Sequence, residues 1–360
     1  MSVKYPNHFY LKYSQARNNF LAAAEETATS IESWQHLLRG MWGEKLYVDL
    51  AWFGDRQASK VLVLLSGVHG VEGYCGSGIQ VGSIRTGWQL QADDKVAIAM
   101  VHGLNPHGMS YLRRVNEDGV DLNRNFIDFH QPLPQNSFYE KMAEVIVPPE
   151  WTEVVQRQTQ DRLMEFLLQT PTAAADLARG QYQYWYAPFY GGEVPTWSNR
   201  VWQQICDRYL VDKSALGLLD YHTGLGQQGT GQLICLPNTS GTELAQSIWG
   251  DKVVITGSAN SVAAYIPTGT LVSTLHTRLN RTTCVTAVYE FGTIPEPEVF
   301  QALRADHWLY RHGDLNTQSA VSIAQNMLDA FYVDSLEWRK SVCELAFTAQ
   351  DELLAGLRSL

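Results

Sequence analysis

The sequence predicts an α/β fold, in which helices cover both faces of a β-sheet. Three observations predict it. The chain has 360 residues, 45% of them hydrophobic, which is enough for a large core. It contains uninterrupted apolar runs, which are typical of strands that are covered on both faces. Amphipathic helical patterns lie between these runs, and strand–helix alternation indicates α/β architecture.

Five strands are predicted along the chain. Apolar runs without polar alternation predict buried strands at 60–67, 95–103, 215–222 and 284–292. The stretch LYVDLAWFG at 46–54 alternates in part between apolar and polar residues, and this pattern predicts a half-exposed edge strand.

Helical spacing accompanies the strands. It predicts helices at 15–29, 71–85, 198–210, 243–249 and 298–310. The segment at about 130–200 is rich in Gln, Pro and aromatic residues and has no strand run, so we expect a helical and loop insertion overhanging the sheet. Two helices are predicted from about 318 onward, and residues 1–360 are expected to form one domain.

Charge and cysteine usage exclude several classes of protein. The net charge is −10 and the basic residues do not cluster, which argues against nucleic acid and anionic lipid as partners. No apolar run reaches the roughly 18 residues of a membrane span, and no signal peptide is visible at the N-terminus. The five cysteines are scattered without a CxxC pair, so we expect a cytoplasmic protein without a disulfide framework.

The stretch LVLLSGVHGVEG (62–73) ends a predicted strand with a histidine and a glutamate three residues apart, His69 and Glu72. Ligands of open α/β sheets bind beyond the carboxyl ends of strands, and zinc accepts nitrogen and oxygen ligands. The pair therefore indicates a metal site. Two solvated loop residues explain the same spacing, since a chance HxxE is common. The surrounding glycines predict clearance for close approach of a substrate.

Two further strand ends offer the remaining groups of a hydrolytic site. In ALGLLDYHTG, Asp220 and His222 lie two residues apart on one face of a strand, so His222 is a candidate third ligand and Asp220 a candidate support for it. In CVTAVYEFGT, Glu290 is costly to bury unless it is paired or faces a cleft, and it is a candidate general base. Plain hydrogen bonding and ion pairing are the alternatives.

The stretch NPHGMSYLRRVNEDGVDLNRNF (105–126) follows another buried strand and begins with a turn. It supplies Arg113, Arg114, Asn123 and Arg124 at the expected site edge. Guanidinium groups bind carboxylates bidentately and stabilise oxyanions, so the loop predicts recognition of an anion. A solvated basic loop is the alternative.

Two other motifs, a dinucleotide-binding loop and a serine-hydrolase elbow, do not match the sequence around them. Gly224, Gly226 and Gly229 form a literal GxGxxG, but they follow a late strand and precede another strand, whereas a dinucleotide loop opens a helix. We expect a glycine-rich loop beside the metal instead. A serine-hydrolase elbow requires GxSxG, and Ser77 in CGSGI does not have that spacing.

The motifs GVHGVEG, NPHG, GVDLNRNF, DYHTG and YEFGT resemble, in order and rough spacing, those of the carboxypeptidase A-like zinc hydrolases. That superfamily includes the succinylglutamate desuccinylase and aspartoacylase deacylases, and HTGLG and EFGT most resemble a bacterial branch of it. The matching motifs span 61–293. The resemblance implies a mixed, largely parallel sheet with helices on both faces.

The resemblance also implies the roles of the candidate residues. One zinc ion would be held by His69, Glu72 and His222, with Glu290 as catalytic glutamate. Asn123 and Arg124 would bind a substrate carboxylate. Arg113 or Arg114 would support the oxyanion; spacing does not decide between them, nor does it place the tyrosine that peptidase members use.

The expected reaction is hydrolysis of an amide bond in a carboxylate-bearing substrate, either a small peptide or an N-acyl amino acid. A catalytically silent metal-binding or scaffold protein of the same fold is the alternative, although the presence of Glu290 argues against it. The sequence leaves a second metal and the oligomeric state open.

Overall fold

The computed structural model describes residues 8–237, 240–258, 260–261 and 265–360. Its strands are β1 Ser30–Arg39, β2 Lys45–Phe53, β3 Lys60–Ser66, β4 Val96–His102, β5 Ala215–Gln228, β6 Gly231–Cys235, β7 Val253–Ile255 and β8 Thr283–Gly292. Its α-helices are α1 Tyr13–Ala24, α2 Gly73–Arg85, α3 Pro106–Ser110, α4 Ser137–Ile146, α5 Glu153–Gln169, α6 Ala173–Arg179, α7 Trp197–Ile205, α8 Ser240–Trp249, α9 Leu271–Arg278, α10 Glu296–His312, α11 Gln318–Phe331 and α12 Leu336–Ser359.

The eight strands form one mixed sheet in the order β1-β2-β4-β3-β5-β8-β6-β7. The four central strands β4, β3, β5 and β8 are parallel, as their continuous apolar runs predict. Antiparallel pairing adds β2 beside β4 and β6 beside β8. The predicted fold class, a mixed and largely parallel sheet, is confirmed.

Helices cover both faces of this sheet. On one face α1, α2 and α12 pack through side chains such as Phe20, Ile79 and Trp338. On the other face α7 and α9 contribute Trp202 and Leu275 to a second core. Burial on both sides accounts for the apolar character of the central strands and makes them a rigid base for the loops at their ends.

The prediction that the strand at 46–54 lies at an edge is wrong, because β2 pairs with both β1 and β4. The polar residue that produces its alternation, Asp49, is fully buried and paired with Arg17 at 2.7 Å and with Ser33. The actual edge strand β1 has the mixed sequence SIESWQHLLR, with one fully buried residue. An exposed edge needs no apolar run, which explains why this strand gave no signal.

Residues 130–200, all of which the structure describes, contain α4, α5, α6 and the beginning of α7, and no strand. The first three of these helices share a small core of their own around Tyr139, Met142 and Leu163. Arg304 of α10 fastens this core to the rest of the protein: its buried guanidinium donates hydrogen bonds to the carbonyls of Val145 and Ile146. No helix among the described residues is long and apolar enough to cross a membrane.

Candidate metal centre

The candidate site is built at the carboxyl ends of neighbouring parallel strands. Strand β3 ends at Ser66, and the following loop carries His69 and then Glu72, the residue immediately before α2. Strand β5 lies beside β3, with Tyr221 paired to Ser66, so His222 projects one position beyond the paired region. The register of the two strands therefore brings His222 to the loop that holds the other two residues.

His69, Glu72 and His222 converge and are all buried. Nδ1 of His69 lies 3.0 Å from Nδ1 of His222 and 2.9 Å from Oε1 of Glu72. Nδ1 of His222 lies 3.1 Å from Oε2 of Glu72. Ligand atoms in a tetrahedral zinc site, at about 2.0–2.1 Å from the ion, lie roughly 3.3 Å apart, so these separations suit a small cation.

The opposite nitrogen of each imidazole meets a buried carboxylate. Nε2 of His69 lies 3.0 Å from Asp121, and Nε2 of His222 lies 2.8 Å from Asp220. The second pair is in ionic contact but is out of line for a hydrogen bond. The hydrogen bond to Asp121 favours the Nε2–H tautomer of His69, and the negative charge of Asp220 favours a proton on Nε2 of His222. The Nδ1 lone pairs of the two rings then face each other.

Three lone-pair donors at these distances repel one another unless a cation or a proton lies between them. The residues present therefore fit a divalent metal ion with nitrogen and oxygen ligands. In a cation-free state a proton takes that place: burial opposes it, but the carboxylates of Asp220 and Glu72 raise the pKa of His222 well above its usual value. Within the described ranges, this is the cluster of His, Cys, Asp and Glu that meets the geometry of a metal site.

Further contacts fix the Glu72 carboxylate in its ionised form. Arg114 donates from Nη1 to Oε1 at 2.7 Å, and the backbone N–H of Thr223 donates to Oε2 at 3.1 Å. Burial alone would favour the protonated acid, but His69 and Arg114 hold the pKa of Glu72 far below its usual range. The carboxylate is thus positioned as an anionic ligand.

Glu290 lies beside this cluster on the next strand. In the parallel pairing of β5 and β8, Glu290 is directly opposite His222, and its side chain is 7% exposed. Its Oε1 accepts a hydrogen bond from the N–H of Leu225 at 3.1 Å. Burial, and then repulsion from Glu72, raises the pKa of Glu290 to about 8.

The structure separates the two arginines that the sequence left undecided. Arg114 lines the cavity at the cluster and bridges Glu72 to Asp121. Arg113 does not reach the cluster: its buried guanidinium makes a bidentate pair with Asp306 of α10 and stacks on the Tyr310 ring at 3.4 Å. Of the pair, Arg114 lines the cavity and Arg113 does not.

Asn123 and Arg124 also line the cavity. Asn123 accepts the N–H of Leu271 through Oδ1 at 2.9 Å, which leaves its Nδ2 as the remaining donor. Arg124 is 2% exposed and donates only to two backbone carbonyls, those of Asn123 at 2.8 Å and Ala178 at 2.6 Å. Within the described residues no partner contacts its Nε.

Two residues at the candidate site are not predicted by the sequence. Asp121 stands within the DLNRNF string, and its place directly before Asn123 and Arg124 was a usable signal. Tyr265 lies in the cavity wall, where burial raises the pKa of its hydroxyl. It comes from a segment without periodicity or motif, so the sequence contained no signal for it.

The cavity that contains these groups has a volume of about 430 Å³. His69, His222 and Glu290 lie in its wall together with Arg114 and Arg124. Gly224 of the GxGxxG stretch is also in the wall, at φ +124, and a side chain there would collide with the Phe331 ring. The glycine-rich stretch is therefore part of the metal centre's surroundings and does not open a helix.

Comparisons with known proteins give similar solved structures. A murein-tripeptide amidase from Escherichia coli O157 is 16% identical, with TM-score 0.35, over 82% of this chain and 94% of that chain. Carboxypeptidase A from Helicoverpa armigera is 12% identical, with TM-score 0.44, over 89% and 74%. An aspartoacylase family protein from Mesorhizobium loti is 15% identical, with TM-score 0.39, over 82% and 70%.

These solved structures include enzymes of the classes whose motifs the sequence resembles. No curated protein sequence matches the chain. A family model does match, over residues 9–344, which is most of the chain and includes all the candidate site residues. The chain belongs to the family described as "Protein of unknown function (DUF2817)".

Proposed function

We propose that the protein is a zinc-dependent hydrolase that cleaves an amide bond in a small substrate bearing a carboxylate. One observation carries the proposal: three buried lone-pair donors converge, with a carboxylate of raised proton affinity directly opposite on the neighbouring strand. His69, Glu72 and His222 would hold the ion. Zinc supplies Lewis-acid polarisation of a carbonyl group and activates water at neutral pH.

The protein's own residues account for the rest of the reaction. Oε1 of Glu290 is held by the N–H of Leu225, so Oε2 is the atom that takes the proton of the attacking water and passes it to the leaving nitrogen. Arg114, already fixed by two carboxylates, supplies positive charge near the developing oxyanion. Tyr265 would donate a hydrogen bond to the bound substrate.

Arg124 and Asn123 account for the carboxylate in the substrate. The buried guanidinium of Arg124 donates to two backbone carbonyls and, within the described residues, forms no direct ion pair with a carboxylate, so a bound anion would stabilise its charge. The Nδ2 group of Asn123 adds a neutral donor beside it. A bound carboxylate would orient the scissile bond toward the metal centre.

The test combines metal binding with a hydrolysis screen of N-acyl amino acids and short peptides. We expect the protein to bind one zinc ion per chain and to hydrolyse members of the screen. Glu290→Gln should bind zinc equally well and lose activity by about 10²-fold or more. Glu298→Gln, an exposed carboxylate on α10, serves as the matched control and should keep full activity.

Two outcomes would overturn the proposal. The first is a protein that binds no zinc, and the second is full activity in Glu290→Gln. Zinc binding without hydrolysis across the screen would favour the alternative, a catalytically silent metal-binding protein of this fold.

A further inference from the structure

The cavity at the metal centre has two chemically different parts. Its polar part holds His69, His222 and Glu290, with Arg124 at one side. The rest is a chamber lined mainly by apolar side chains of α6, α10 and the sheet, and we call it the apolar chamber. At about 430 Å³ in total, the cavity has the size of typical small-ligand sites.

The position of Arg124 determines how a ligand with one anionic end is oriented in the cavity. The other arginine of the cavity, Arg114, is already neutralised by Glu72 and Asp121. Arg124 donates only to carbonyl oxygens in the described structure and lies 5.4 Å from the centre of the Phe189 ring. The end of the cavity at Arg124 is therefore the end that takes an anion.

The upper wall of the chamber comes from the insertion. Ala174, Ala175 and Ala178 of α6 face the cavity, and their short side chains leave space that larger residues would fill. The carbonyl of Ala178 accepts the hydrogen bond from Arg124, so the alanine surface begins directly beside the anion-binding end. Leu177 of the same helix lines the cavity and packs into the core of the insertion.

The opposite walls are apolar as well. Val299, Phe300 and Leu303 line the cavity on α10, and Ile234 and Val288 line it on the sheet. Glu296, at the first residue of α10, is the charged group of this wall and is exposed at the rim. An apolar chain entering the chamber would exchange water for hydrocarbon contacts and leave no polar atom of the ligand unpaired.

We propose that the substrate is an N-acyl amino acid with a medium-length apolar acyl chain, its carboxylate held by Arg124 and its acyl chain in the apolar chamber. This inference rests on the proposed hydrolase function and selects between its two substrate types. A longer peptide would carry polar backbone groups into the chamber, whose α6 and α10 walls, apart from Glu296 at the rim, offer aliphatic and aromatic side chains that form no hydrogen bonds with them.

The first experiment measures kcat/KM for N-acyl glycines from acetyl to decanoyl. Burial of each added methylene should raise kcat/KM about fourfold until the chamber is full. Ala175→Leu fills part of the chamber and should flatten this dependence on chain length. Ala355→Leu makes the same change on the exposed face of α12 and should leave the whole series unchanged.

The second experiment measures binding without catalysis. Calorimetry on the metal-free protein should show N-octanoyl glycine binding at least 100-fold more tightly than N-acetyl glycine, and Ala175→Leu should remove most of that difference. Tight binding of N-octanoyl glycine without any hydrolysis would support acyl-chain binding in the chamber and contradict the proposed hydrolase function. If hydrolysis occurs at a rate that does not depend on acyl-chain length in either the parent protein or Ala175→Leu, the proposal that the chamber binds the acyl chain is wrong. The proposed hydrolase function is then unaffected. Faster cleavage of tri- to pentapeptides than of octanoyl glycine would also overturn the proposal that the chamber binds the acyl chain.

Discussion

Carboxylates lie against the outer nitrogens of His69 and His222, and we expect metal affinity at the proposed site to depend on those contacts. Asp121 has a double role, because it accepts from His69 through Oδ1 and from Arg114 through Oδ2. Burial opposes its ionisation, but Arg114, His69 and Arg124 hold the pKa of Asp121 well below its usual range. Asp121 therefore links His69, a proposed metal ligand, to Arg114.

We predict that Asp121→Asn lowers zinc affinity by about 10- to 100-fold, because the amide no longer orients His69 or raises its basicity. Competition with a chromophoric chelator measures the affinity. Asp118→Asn is the matched control, since Asp118 lies in the same loop and contacts no ligand residue. An unchanged affinity in Asp121→Asn would mean that the contact is dispensable.

At this scale the sequence predicted which side chains lie together better than it predicted the partners that hold them. His69, Glu72, His222 and Glu290 stand at strand ends, where position along the chain translates directly into position in the sheet. Arg113 and Arg114 are adjacent in an irregular loop, and which guanidinium turns inward depends on Asp306, nearly two hundred residues away. Tertiary packing brings such a partner into contact, so the local sequence around the arginines contains no pattern that predicts it.

The loops at the ends of β3 and β4 contact each other backbone to backbone. A Cβ atom on Gly70 would lie 2.1 Å from the carbonyl carbon of Gly108, and the N–H of Gly70 donates to Arg114 O at 3.1 Å. The sequence predicts that the glycines around His69 provide clearance for a substrate. At Gly70 the structure gives another reason, which is the packing of the metal-ligand loop on the arginine loop.

We predict that Gly70→Ala destabilises the protein by about 3 kcal/mol, because one of two packed backbones must move. Urea unfolding in the presence of a chelator measures this free energy without a contribution from metal binding. Gly43→Asn is the control: nothing lies within 4 Å of its Cβ position, and asparagine tolerates the positive φ there. Equal stability of Gly70→Ala and the parent protein would contradict the close packing.

The central strands were predictable from the sequence because they form continuous apolar runs. The strands toward the edges of the sheet were not predictable in this way. Strand β1 is mostly exposed, and β2 carries a buried ion pair at Asp49 that imitates an exposed position. Strand β7 has only three residues, Val253–Ile255, which is too short for any periodicity.

Across the whole molecule, buried histidines make the folded state sensitive to acid. Burial lowers the pKa of both His102 and His307 to about 4. In the unfolded chain these groups bind protons near pH 6.5, so between about pH 6.5 and 4 the unfolded state binds more protons than the folded state. The free energy of unfolding therefore falls as the pH falls through this window.

We predict that His102→Gln reduces this loss of stability by up to about 3 kcal/mol at pH 4, relative to the parent protein. Urea unfolding at several pH values, with a chelator present, provides the comparison. His130→Gln, at an exposed histidine, should follow the parent curve. Parallel curves for His102→Gln and the parent would show that His102 does not titrate as its burial requires.

His222 and Glu290 are paired directly across neighbouring strands. Their distance from each other therefore does not depend on the number of residues in the connection between those strands. Hydrogen bonding between β5 and β8 sets their spacing, so residues can be added or removed at exposed turns of the connection without moving either group. A one-residue deletion inside either strand would instead turn the side chain to the opposite face of the sheet. We therefore expect insertions and deletions to be tolerated between the two strands and to abolish function within them.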